Sequence, residues 1–242
     1  MYQNNDYSNF NAGNFNGGGN MPAVGTKVNS AMKLVYVKMT LALVVTAITA
    51  WLASTSQGYI NFLIGHTWFM WVLIAAELGL VFAISGAIRR LSNAAASGLF
   101  YLFAIVNGLM LCTIFLAYSP GCIAKTFFVT AGTFGAMSVF GYTTSQDLSK
   151  IGSFLFMALI GLIIASVVNI FMHSSALDWI VTIAGVLIFI GLTAWDTQQI
   201  KAMAQAAPSD AVSKLATLGA LSLYLDFINL FLYLLRLFGR ND

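Results

Sequence analysis

Seven apolar stretches, at about 34–53, 67–88, 98–118, 123–143, 151–171, 179–198 and 215–238, divide the chain from residue 34 almost to its end. Each is close to the ~20 residues that an α-helix needs to cross ~30 Å of hydrocarbon. Nothing else constrains the fold as tightly, because only helices and closed barrels satisfy every backbone polar group inside a bilayer. The expected class is therefore an all-α membrane protein with seven transmembrane helices, and the lipid bilayer is its first partner. Composition agrees: 59% of the 242 residues are hydrophobic and 8% are charged, whereas a soluble domain carries roughly a quarter charged residues. Water-soluble enzyme classes are excluded. A net charge of +3 spread along apolar helices is no nucleic-acid footprint.

Residues 1–30 hold eight Asn and five Gly and read as a disordered tail ahead of a seven-helix domain at 31–242. The tail lacks the pattern of a signal peptide, so the first span is expected to be an uncleaved anchor. Seven crossings put the ends on opposite sides. With the N-terminus cytoplasmic, the inside segments hold Lys27, Lys33, Lys38, Arg89, Arg90, Lys150, Lys201 and Lys214, and the outside holds Lys125, Arg236 and Arg240. Eight against three favours that orientation under the positive-inside rule. His66 and His173 then fall in outside loops. The two cysteines, Cys112 and Cys122, make neither a disulfide framework nor a four-ligand metal site, and no cofactor is expected.

None of the three prolines lies inside a span, and no internal repeat is evident, which argues against an inverted-repeat transporter. In span 4, Gly132, Gly135, Ser138 and Gly141 recur every three residues as a small-residue surface for helix packing. Charged side chains inside spans cost ~2.5–3.5 kcal/mol each on insertion scales, so each asks for a partner or a task. Among them are Glu77 in span 2, Asp196 in span 6, and Asp226 and Arg236 in span 7.

Span 7 carries Gly219, Ser222, Asp226, Asn229, Tyr233 and Arg236 at spacings of 3, 4, 3, 4 and 3, which puts them on one helical face. A polar seam on an otherwise apolar helix faces protein or water, so helix 7 is expected at the centre of the bundle, with Ser222, Asn229 and Tyr233 as pore-lining candidates. Asp196 lies near the cytoplasmic end of the neighbouring, antiparallel span 6, within reach of Asp226, and two carboxylates sharing one site titrate as a coupled pair. Glu77 is expected to pair with Arg236 as a structural ion pair. Arg89 and Arg90 close span 2 on the side of Asp196, either as topological anchors or as a latch on the aspartates.

Ala194-Trp195-Asp196-Thr197-Gln198-Gln199-Ile200 in span 6 and the run from Ala220 through Leu225-Asp226-Phe227 to Phe231 in span 7 resemble the transmembrane Bax inhibitor motif family. Thr133-Phe134-Gly135, Tyr142-Thr143-Thr144 and Asp147-Leu148-Ser149 resemble the same family's bacterial members. The similarity covers about residues 34–238 and leaves out the Asn-rich tail. The resemblance implies a seven-helix fold around helix 7 and a pH-sensitive calcium leak in a bacterial inner membrane. It further implies that Asp196 and Asp226 sense protons and gate the path, with Arg89 or Arg90 as latch. Calcium is expected only as the permeating ion, held transiently by Asp196 and Asp226, because a hard divalent cation takes oxygen ligands.

Two other readings use the same carboxylates. A proton-coupled cation exchanger trades protons for cations at intramembrane acids. An intramembrane aspartyl protease places one aspartate on each of two neighbouring helices, but its Gly-x-Gly-Asp element is missing before Asp226. The chain is therefore expected not to be an enzyme. Its protein partners are not readable from the sequence.

Overall fold

The computed structural model describes residues 24–88, 90–208 and 211–239. Nine helices are found there, and no strand: α1 (Val24–Thr55), α2 (Gln57–Gly65), α3 (Trp68–Ala87), α4 (Asn93–Leu111), α5 (Ile114–Ala117), α6 (Pro120–Thr143), α7 (Ser149–Met172), α8 (Ser175–Ala206) and α9 (Val212–Phe238). The seven spans are α1, α3, α4 with the short α5, α6, α7, α8 and α9. Helix starts are written in the sequence. The hydroxyls of Ser56, Ser92, Ser119 and Ser174 each accept from a backbone N–H three residues on, and Pro120 occupies the first turn of α6, where its missing N–H costs nothing.

α9 is the axis. It packs against α1, α4, α6 and α8, while α3 leans chiefly on α4 and α7 chiefly on α8. In its most apolar stretch 67% of residues are buried, against at most 39% in any other span and 6% in α7. An apolar helix left that open, with Phe154, Ile163 and Phe171 outward, is stable only against lipid. The protein is thus an integral membrane protein.

Basic residues gather at one end of the bundle, called here the basic end: Lys27 donates to the carbonyl of Ala207, Lys201 to that of Tyr142, and Lys38 to Ser97 and Thr217. Several helices run farther there than hydropathy alone suggests. α1 begins at Val24, so residues 24–30 of the expected tail are helical, because Val28 continues the buried stripe Ala31, Met32 and Val35. Residues 1–23 lie outside the described residues. α8 continues to Ala206 and stops ahead of Pro208, as a residue before proline disfavours helical geometry. The two aspartate helices are therefore joined by residues 207–211 alone.

The small-residue stripe of α6 is not one packing face. A Cβ on Gly141 would lie 2.1 Å from the carbonyl oxygen of Ala194, so α6 and α8 cross there at backbone contact; Cβ atoms on Gly132 and Gly135 would meet nothing within 4 Å.

Candidate functional site

Asp196 and Asp226 come together. Asp226, 5% exposed, projects from the middle of α9 toward α8, and the carboxyl groups of the two residues lie within hydrogen-bonding reach of each other. At ~4 Å and an effective dielectric near 20, two unit charges repel by about 4 kcal/mol. Such a pair holds its geometry through a bridging proton or a bound cation. No hydrogen-bond partner among the described residues is assigned to the buried Oδ2 of Asp226 or to the buried Oγ1 of Thr197, the residue after Asp196. The unused Asp226 oxygen, on one of two facing carboxyls, is chemically ready for a cation, a water or a proton.

Neighbouring helices fix the position of Asp196. Gly141 of α6 sits against the backbone of Ala194, and Gly152 of α7 lies so near Trp195 that a Cβ there would fall 2.3 Å from the indole ring. Gln198 clamps the α6–α7 connection, accepting from Leu148 N–H at 2.8 Å and donating to the Gln146 carbonyl at 2.7 Å.

The rest of the α9 seam divides. Ser222 and Asn229 are half-buried, and Asn229 Nδ2 donates to the carbonyl of Leu225 on its own helix at 2.8 Å. Tyr233 stacks on Phe189 with centroids 5.9 Å apart and fills the space left by Gly185. Arg236 pairs with Asp178. The expected Glu77–Arg236 pair is therefore not formed. Asp178 stands one residue before the expected span 179–198, at the same end of the bundle as Arg236 and in the first turn of α8, and so meets the guanidinium directly. Glu77 is instead compensated by an amide: Asn107 Nδ2 donates to Glu77 Oε1 at 2.8 Å. Of the two latch candidates, Arg90 is exposed and forms no ion pair with either aspartate; Arg89 lies outside the described residues.

A second polar file, outside the seam from Gly219 to Arg236, runs along the opposite face of α9. Asn107 Oδ1 accepts from the Tyr224 hydroxyl at 3.0 Å; that hydroxyl lies 2.6 Å from Thr46 Oγ1, which donates to the Ala104 carbonyl at 2.9 Å. Nearer the basic end Lys38, 9% exposed, donates to Thr217 Oγ1 at 2.6 Å and Ser97 Oγ at 2.8 Å. The available signal was the cost of Lys38 and Asn107 inside apolar helices.

The sequence profile of the family described as inhibitor of apoptosis-promoting Bax1 matches residues 28–242. The chain belongs to the Bax inhibitor family. Among the relatives of this Bax inhibitor family member is the inner membrane protein YbhL of Escherichia coli strain K12, 49% identical over 87% of this chain and 91% of that protein. A Borreliella burgdorferi protein is 44% identical over 88% of this chain and 94% of its own, and protein RP147 of Rickettsia prowazekii is 44% identical over 87% and 89%. The match starts at Val28, one turn into α1, so the helix beyond its first turn lies inside the family match.

Proposed function

We propose that this protein is a pH-sensitive calcium leak of the bacterial inner membrane, a channel and not an enzyme, gated by Asp196 and Asp226. The observation that carries the reading is the meeting of these two carboxyls inside the bundle, with an unpartnered oxygen on Asp226. Calcium takes several oxygen ligands, and carboxylates with Thr197, Asn229, Ser222 and water supply them weakly enough for release. Protonation removes the charge that attracts the ion and replaces ion bridging by a shared proton, so proton and calcium compete for one site. Arg89 or Arg90 takes the latch role in this reading, and the basic end faces the cytoplasm under the positive-inside rule.

The test is calcium entry into liposomes holding the purified protein, followed from acid to mildly alkaline pH. Asp196→Asn and Asp226→Asn should each shift or flatten the pH profile, and Asp226→Asn, the more buried change, should also slow entry. Wild-type profiles in both variants would remove the pair from the gate. A leak dissipates a calcium gradient without stoichiometric proton counterflow; obligatory counterflow would make the protein an exchanger working through the same residues. Reporter fusions at residue 25 and residue 241 test the orientation, with the former cytoplasmic and the latter outside.

A further inference from the structure

Between α1 and α6 runs an open groove with a cavity volume of about 650 Å³. The two helices both rest on α9, and the groove floor is Phe134 and Phe227, whose rings meet edge to face at 5.4 Å. Its α6 wall is low at Ala131 and Gly135, and its outer margins carry exposed Phe127 and Val139. Hydrocarbon is the medium against which such margins are stable.

Polar groups cluster at one end, with Thr40 farther along α1. There the Tyr142 hydroxyl donates to Asn29 Oδ1 and closes the gap between the helices. Lys201 stands 4.8 Å above the Tyr142 ring and donates to the Tyr142 carbonyl at 2.7 Å, which leaves two of its three ammonium hydrogens for another acceptor. Lys33, four residues after Asn29 on α1, is exposed. The acid nearest Tyr142 in the chain, Asp147, accepts from the backbone N–H of Ser149. Just inside this polar end is Ser138, 5% exposed, which lines the groove while its Oγ has no hydrogen-bond partner among the described residues.

The spacing of these groups follows a lipid. Tyr142 to Ser138 is about 6 Å along the helix, and Ser138 to Phe127, at the groove's far end, is about 16 Å at ~1.5 Å per residue. The second length is close to half of a ~30 Å hydrocarbon core. We propose that the groove binds one anionic phospholipid from the leaflet at the basic end. Its phosphate lies between Lys33 and Lys201, an ester carbonyl accepts from the Ser138 hydroxyl, and an acyl chain lies along Gly135 and Ala131 to Phe127. The chain then rests on Phe227, the residue after Asp226.

Native mass spectrometry of the detergent-solubilised full chain with added phosphatidylglycerol or phosphatidylcholine tests this. The wild type should retain phosphatidylglycerol in preference. Gly135→Leu fills the groove from a position whose Cβ meets nothing and should weaken retention about tenfold or more. Gly161→Leu on α7, whose Cβ is equally unobstructed, should not. Lys33→Gln with Lys201→Gln should abolish the headgroup preference, and Ser138→Ala should weaken both lipids alike. Equal retention by wild type and Gly135→Leu overturns the site, and equal retention of the two lipids by the wild type overturns the anionic assignment. A dimer mass lost in Gly135→Leu would make the occupant a second copy and overturn the lipid. Calcium flux is not the readout, so failure here leaves the leak reading untouched.

Discussion

Tyr224 and Asp226 stand two residues apart on α9 and face opposite sides of the bundle: Tyr224 bonds to Thr46 and Asn107, Asp226 meets Asp196. A step of two residues turns a helix by about 200°. The central helix is thereby held from both sides, and rolling it to open the aspartate face strains the Tyr224 face.

Tyr224→Phe should show how firmly. The change keeps the ring packed against Phe100 and Phe103 and leaves Thr46 bonded to Ala104, but strips Asn107 Oδ1 of its donor. A loss of about 1–2 kcal/mol in stability is expected, read from thermal unfolding in detergent. Combined with Asn107→Leu, the loss should fall short of the sum; strict additivity would mean that the two groups do not act together.

Arg236→Gln should cost little, because the side chains of Arg236 and Asp178 are 45% and 24% exposed and open ion pairs contribute about 0.2–1 kcal/mol. A double-mutant cycle with Asp178→Asn should show coupling of that size, and a cycle with Glu77→Gln should show none. The reverse outcome would restore Glu77 as the partner.

Gly141→Ala should destabilise the fold by about 1–3 kcal/mol or more, since the new methyl meets the Ala194 backbone. Gly132→Ala on the same helix should be neutral or mildly stabilising, as its Cβ meets nothing and alanine lowers the entropy of the unfolded chain. Melting temperatures of the two variants decide the matter, and equal values would mean that α6 and α8 do not cross at this point.

Asp147 lies between α6 and α7, where hydrogen bonds from Ser149 hold its carboxyl below the ordinary value of 3.8. A lowered folded value means that the contribution of this cap is complete above 3.8 and lost as pH falls through the lower value. Amide exchange in the first turn of α7 should therefore show an unchanged opening equilibrium across the neutral and mildly acid range. Asp147→Asn should leave the pH profile of calcium flux where it is; a shifted profile would place a sensor in this connection.

The seven spans and the central place of α9 were legible because both rest on periodicity, and a polar seam on an apolar helix has few places to go. Asp196 and Asp226 were legible for the same reason, as acids on consecutive antiparallel helices. Arg236 was not, since its partner depended on whether Asp178 or Glu77 reached that end of the bundle, and hydropathy sets a helix boundary no better than within a few residues. The Tyr224 file escaped because a tyrosine among leucines reads as packing; only the fold shows that Thr46 and Asn107, from two other helices, converge on its hydroxyl.

α8 is 32 residues long, about 48 Å at ~1.5 Å per residue, and a ~30 Å hydrocarbon layer centred on it leaves roughly 9 Å projecting at either end. Asp196, ten residues before the end of α8 at Ala206, then lies roughly 6 Å below the nearer boundary, about a fifth of the way across the electric field. A full crossing is worth about 2.3 kcal/mol per elementary charge at 100 mV, so a proton arriving at Asp196 from the basic end feels roughly 0.5 kcal/mol. That changes its occupancy by about twofold, against tenfold for each unit of pH. A gate built on this residue listens to acidity and is nearly deaf to membrane voltage.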